Sequence, residues 1–295
     1  MWAAEKLGPN TIRASRPGYI ENIPINEKNN PNFLYSDNLI KFCKKKGWYS
    51  KGPFNVNKIL GDGKGRWKGV RWIEEEINKL AKRQEKIKLQ DIMWAIRTPK
   101  LTGDTAGYGQ IVPLIDPSHN DLRMLWHSPI GAVASTFSPV FMGQTIVPEE
   151  FMKHRYLTVG ESHRFSDERK KNEKDNVSLV SQGVESTVSA VYECKRLLYL
   201  ILQNEKLFFS FTKKIFENRE KNLINKTNQI LKIAKILLKK NEKNFCEKIL
   251  NSFSVTELRN GLKLVQTLSK NIDIYIRKSQ VFEKNTRPKS FDQIW

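Results

Sequence analysis

Apolar residues recur three and four positions apart in some stretches of this chain and form short runs in others. Leu39, Ile40 and Cys43 share one face of a segment that opens at Ser36 or Asp37, runs through LIKFCKKK and ends at Gly47. That pattern predicts a helix with an oxygen-bearing N-cap and a glycine stop, and it turns the Cys43 thiol inward. Val70, Ile73, Ile77 and Leu80 make a second stripe, predicting a helix over residues 70–83. A third helix, Leu89 to Arg97, is stopped by Pro99. Between and beyond these helices lie the short runs Ile111–Ile115, Leu122–Trp126 and Phe137–Met142, bounded by Pro, Gly and Asp. They read as strands, and the turn-rich DPSHND at residues 116–121 predicts that the first two form a hairpin. Thr11 to Ala14 reads as a further strand, broken by Pro17-Gly18.

A polar run, SDERKKNEKDN at residues 166–176, marks a linker. Beyond it glycine and proline almost vanish, and residues 177–204, 206–240, 242–251 and 255–281 read as long amphipathic helices. Ile224, Ile230 or Leu231, Ala234 and Leu237 or Leu238 recur at helical spacing, which is core packing and not a cofactor box. Gly261 lies inside the last of these helices, where glycine costs about 1 kcal/mol relative to alanine.

Composition changes this picture little. Hydrophobic residues are 39% and charged residues 28%, which places the chain among folded proteins and not disordered ones. No apolar stretch is long enough to cross a membrane and no secretory signal is visible, so the expectation is a cytoplasmic protein without a membrane partner. Three scattered cysteines, Cys43, Cys194 and Cys246, make neither a disulfide framework nor a zinc site, and Cys194 and Cys246, set among Leu, Ile and Phe, read as core residues as Cys43 does. No metal and no cofactor is expected, because no P-loop, dinucleotide fingerprint, HExxH, CxxC or GxSxG occurs.

The glycine-rich GDGKG at residues 61–65 fits either a phosphate cradle or, more simply, a plain loop. RWKGVRW at residues 66–72 interleaves aromatic and basic residues, as a stacking platform or a buried cation on an indole does. His119, His127, His154 and His163 form no triad spacing with Ser or Cys, so structural roles are expected of each. The net charge of +20 favours an anionic partner. Yet the lysines spread over many helix surfaces, and such a spread reads as general compositional drift.

Several phrases carry more information than composition. WAAEKLGPNTIRASRPGYI at Trp2–Ile20, FLYSDNLIKFCKKKGWY at Phe33–Tyr49 and PFNVNKILGDG at Pro53–Gly63 follow one another in this order. Together they resemble the dipeptidase branch of the cysteine-type N-terminal-nucleophile hydrolases, which includes the dipeptidase A enzymes and the secernins. GQIVPLI, LRMLWHSPIGAVASTFSPVFMGQTIVPEEF and AVYECKRLLY are similar to later parts of such proteins, so the likeness extends from Trp2 to about Tyr199.

The resemblance implies an α+β protein. Residues 1–165 would be part of an αββα sandwich, 166–176 a polar loop, 177–284 a helical region packed on it, and 285–295 a tail. It implies hydrolysis of a short peptide or another linear amide through an acyl-enzyme, with a leading cysteine as nucleophile and its own amine as base. That cysteine has no counterpart here, so the catalytic set is empty and the chain by itself is expected to be inactive. A fragment, one half of a split enzyme or an inactive paralogue fits this, as does completion by a separate N-terminal half or self-association.

Two substrate-binding positions carry over from the resemblance. Ser15 falls where relatives hold an oxyanion-hole asparagine, and Arg71, before Trp72, falls where they hold an active-site arginine. An ion pair of Arg71 with Glu74 or Glu75 is the plain structural alternative. The alternative to the hydrolase as a whole is a basic helical interaction module that binds nucleic acid or an acidic protein.

Overall fold

The computed structural model describes residues 1–8, 12–14, 22–27, 30–61, 63, 68–84, 86–101, 108–114, 119–152 and 189–279. The chain is mixed α+β, with small antiparallel sheets and long C-terminal helices. It divides into two compact units, one holding the described residues up to Asp91 and the other those from Ile92 onward. The polar run 166–176 and the tail lie outside the described residues. The three-stranded sheet shares its unit with the long helices.

In the first unit β1 (Ala3–Glu5) pairs antiparallel with β3 (Phe33–Tyr35), Ala4 opposite Leu34. β2 (Asn22–Ile23) pairs with β4 (Phe54–Asn55). α1 (Asn38–Lys45) buries Leu39 and Cys43, one turn apart, against Ile23 and Phe54. It ends where expected, at Gly47 with φ of 70°, a conformation that a side chain strains. Its start also falls where expected, without the side-chain cap. Asp37 is the N-cap residue but makes no side-chain cap, and the Ser36 hydroxyl accepts from the Trp2 backbone N–H at 3.1 Å.

α2 (Val56–Leu60) is capped by Asn55, whose Oδ1 accepts from Lys58 N at 2.8 Å. α3 (Lys68–Gln84) buries Val70, Ile73 and Ile77, the stripe read from the sequence. The strand expected at Thr11–Ala14 is absent from its described part. Residues 12–14 lie outside any strand, and the antiparallel partner of β3 is Ala3–Glu5.

The division between units falls in the first turn of α4 (Leu89–Arg97). In the second unit β5 (Gly109–Ile111), β6 (Met124–Ser128) and β7 (Ser138–Phe141) form an antiparallel sheet in that order. The hairpin is present but shifted. The first strand ends at Ile111, two residues before Pro113, which has no N–H to donate, and Asn120–Leu122 forms a 3-10 turn before β6. A short helix, α5 (Glu149–Met152), closes the described part of this stretch.

α6 (Ala190–Gln203), α7 (Glu205–Lys239) and α8 (Lys243–Ser279) complete the unit. Asn204 separates the first two and caps the second, its Oδ1 accepting from Leu207 N at 3.2 Å. Asn241, with φ of 59°, turns the chain between α7 and α8. Those two helices run antiparallel, because Cys246 meets Ala234 near the turn and Tyr275 meets Phe208 at the far end. α8 packs on α6, α7 and β7.

The main core joins Ile130, Val133, Leu197, Ile201, Phe216 and Val265. α8 is one helix where the sequence suggested two, and Gly261 has a packing reason. A Cβ there would stand 3.2 Å from Ser138 Oγ and 3.2 Å from Thr136 Cγ2, so glycine lets helix and strand close up.

A buried charge network holds this unit together. Arg97, fully buried, donates from Nε to Ala132 O at 2.9 Å and from Nη1 to Glu220 Oε2 at 2.9 Å. Its guanidinium lies over the Phe137 and Phe216 rings at 5.7 and 5.8 Å. Glu220 Oε1 accepts in turn from Phe137 N at 2.8 Å and Thr136 Oγ1 at 3.1 Å. Arg219 reaches Phe137 O at 2.9 Å, Ser138 Oγ at 3.3 Å and Glu257 O at 2.7 Å, fastening α7 to β7 and α8. Burial pushes the Arg219 guanidinium below its ordinary value, while Glu257 and Glu220 pull it back up.

Candidate functional site

The two sequence-predicted site residues belong to the first unit. Ser15 lies outside the described residues. Arg71 stands exposed on the first turn of α3. Three residues on, Glu74 Oε1 accepts from the Ala14 backbone N–H at 2.7 Å. Beside it, Arg13 Nη2 pairs with Glu5 Oε1 at 2.6 Å, both side chains about three-quarters buried. The segment leading to Ser15 in sequence is therefore tied on one side to β1 and on the other to the turn of α3 that follows Arg71. Neither Arg13 nor Glu74 stands out by local pattern, since the partners are 8 and 60 positions away.

Of GDGKG, the described Gly61 and Gly63 both donate their N–H to Asn57 O at 3.0 Å. Those two amides cap α2 and are not presented to a phosphate. Trp67 lies outside the described residues, and Trp72 is half-buried on α3.

The thiols are where the apolar patterns placed them. Cys43, Cys194 and Cys246 are all buried and unpaired with one another. Burial raises the pKa of each above the ordinary thiol value, helped at Cys194 by Glu193 and at Cys246 by Asp121 and Glu247. A thiol held protonated and away from solvent is a poor nucleophile. Near Cys194 a cavity of about 10 Å³, lined also by His127, Ser135 and Thr136, has room for one water and no substrate. His127 lies within β6, and burial lowers its pKa from the ordinary imidazole value. His154 and His163 lie outside the described residues.

A large concavity among the described residues belongs to the second unit and was not anticipated from the sequence. It is a groove of about 780 Å³ between the end of β5, the start of β6 and α7. Leu122, Met124 and Leu231 give it an apolar floor, and Leu114 and Met142 stand exposed at its mouth. Arg123, Lys232 and Lys235 stand among them, and no acidic side chain among the described residues lines it. Its volume lies in the range of ligand-binding clefts. One sequence signal marks its α7 wall: from Lys221 to Lys240 there are six lysines and no Asp or Glu.

Comparisons with protein-family models, curated proteins and solved structures return no significant match. Function therefore rests on this chain's own residues. Among the described residues no group of three or more His, Cys, Asp or Glu is placed to hold a metal ion. No described helix is long and apolar enough to cross a membrane.

Proposed function

We propose that these 295 residues form the scaffold and substrate side of a dipeptidase-type amide hydrolase of the N-terminal-nucleophile class. The nucleophilic cysteine would come from outside them. What supports the reading, beyond the ordered phrases of the first 63 residues, is the hydrogen bond from Ala14 to Glu74. It joins two segments far apart in sequence, one ending just before Ser15 and the other beginning at Arg71.

In this reading Arg71 holds the substrate carboxylate with its two-pronged donors, and Ser15 donates to the carbonyl oxygen as charge develops there. The incoming thiolate attacks the amide carbonyl and forms a thioester. The amine that shares its residue carries the proton to the leaving nitrogen, and water then frees the acid. The sheet β5–β7 with α8 against it serves as one sheet-and-helix half of an αββα sandwich.

The test compares dipeptide cleavage by the chain alone and by the chain mixed with a polypeptide that begins with the branch's cysteine. We expect no turnover alone and measurable turnover together. Arg71→Ala should then raise KM about tenfold or more, since a charged hydrogen bond contributes about 1.5–3 kcal/mol. Turnover by the chain alone, abolished by iodoacetamide, would make one of the three buried thiols the nucleophile and overturn the reading.

A further inference from the structure

We propose that the groove of the second unit docks an acidic amphipathic segment of a partner protein. This does not depend on the dipeptidase-type reading. The groove joins exposed apolar area, which is costly to leave in water, to a cluster of cations that attracts an anionic partner. Leu114 is 97% exposed and Met142 50% exposed, so apolar area faces solvent at its mouth. Arg123, Lys232 and Lys235 supply three positive charges within the same walls.

The cationic row continues past the groove. Lys232, Lys235 and Lys239 are exposed and follow one another by three and four positions on α7. They form a single stripe about 10 Å long at 1.5 Å per residue. A ligand confined to the groove would leave the last of these unmatched, whereas a peptide segment several residues long meets all of them. Leucine-like side chains at helical or alternate spacing would enter the floor, and carboxylates would meet the lysines.

Two other anionic partners fit less well. Single-stranded nucleic acid binds on aromatic platforms, and no aromatic side chain among the described residues lines the groove. A membrane surface is flat on this scale, whereas these apolar residues line a concavity.

The experiment uses the whole 295-residue chain and fluorescence anisotropy of labelled 12-residue probes. One probe carries Glu and Asp with Leu at helical spacing, the second has every Leu replaced by Ser, and the third is a single-stranded oligonucleotide. The Leu-containing acidic peptide should bind at least tenfold more tightly than either of the others, and more weakly as salt rises. Lys232→Glu with Lys235→Glu should weaken it at least tenfold. Lys263→Glu with Lys270→Glu, the same charge change at exposed positions of α8, should change it less than twofold. Leu114→Ser removes apolar area at a solvent-facing position and should weaken the same peptide severalfold. Equal binding of the Ser-containing peptide or the oligonucleotide overturns the proposal, as does equal loss from the two charge reversals.

Discussion

Arg97 illustrates how a single buried charge is made tolerable. Its guanidinium is fully out of water, and Glu220, Ala132 O and two aromatic faces replace the lost hydration. Removing one partner therefore does more harm than removing both. Glu220→Ala strands the Arg97 charge and also takes the acceptor from Phe137 N and Thr136. The expected loss of stability is about 3–5 kcal/mol, measured by urea denaturation. Arg97→Met combined with Glu220→Leu leaves no lone charge and should lose clearly less than Glu220→Ala by itself. A loss below about 1 kcal/mol in the single variant would mean that water reaches the site and that the network contributes little. None of this was legible locally. Arg97 reads as the last cation of a helix before Pro99, and its partner stands 123 positions away. The buried thiols were legible, because each cysteine sits on an apolar face whose direction follows from helical periodicity alone.

The helices were read well where one face alone decides their burial. α1, α3 and α4 sit within about two residues of their expected bounds, and the break at Asn204 before α7 was found. Errors arose where a tertiary contact overrides a local signal. Asn251 to Ser254 looked like a helix end because such residues compete for backbone hydrogen bonds. In the folded chain the Ser254 hydroxyl accepts from Phe141 N at 3.3 Å and Asn251 Oδ1 accepts from Ile146 N at 2.7 Å, so both side chains are drawn to the sheet side and α8 continues. Gly261 follows the same logic. An alanine in an exposed helix interior would stabilise by about 1 kcal/mol. Here its methyl would press on Ser138 and Thr136, whose oxygens are held by Arg219, Glu257 and Glu220. Crowding of that kind costs about 1–3 kcal/mol, so Gly261→Ala should destabilise the protein by a net of up to about 2 kcal/mol in urea. An increase in stability would show that β7 yields to α8 and that close approach is not the reason for glycine.

The candidate groove and the candidate hydrolase residues show what assembly adds to pattern. The groove takes its walls from residues 112–114, 122–124, 142 and 228–235, four stretches that no spacing rule links, and it becomes a feature only when β5, β6 and α7 meet. The same dependence on neighbours predicts self-association of the chain. β1 and β3 form a two-stranded sheet with Ala4 opposite Leu34. Trp2 and Leu34 are 56% and 62% exposed, and the Trp2–Ser36 contact continues the pairing, so alternation puts Trp2, Ala4 and Leu34 on one outward apolar face. A ribbon of two strands with such a face gains by stacking against a second sheet. Light scattering after size exclusion should accordingly show mass rising above 34.3 kDa across the micromolar range. Trp2→Ser with Leu34→Thr removes apolar area without touching the paired backbone, and should shift the equilibrium toward the single chain. A monodisperse 34.3 kDa species at every concentration would mean that this face is satisfied as it stands, and would remove the case for self-association.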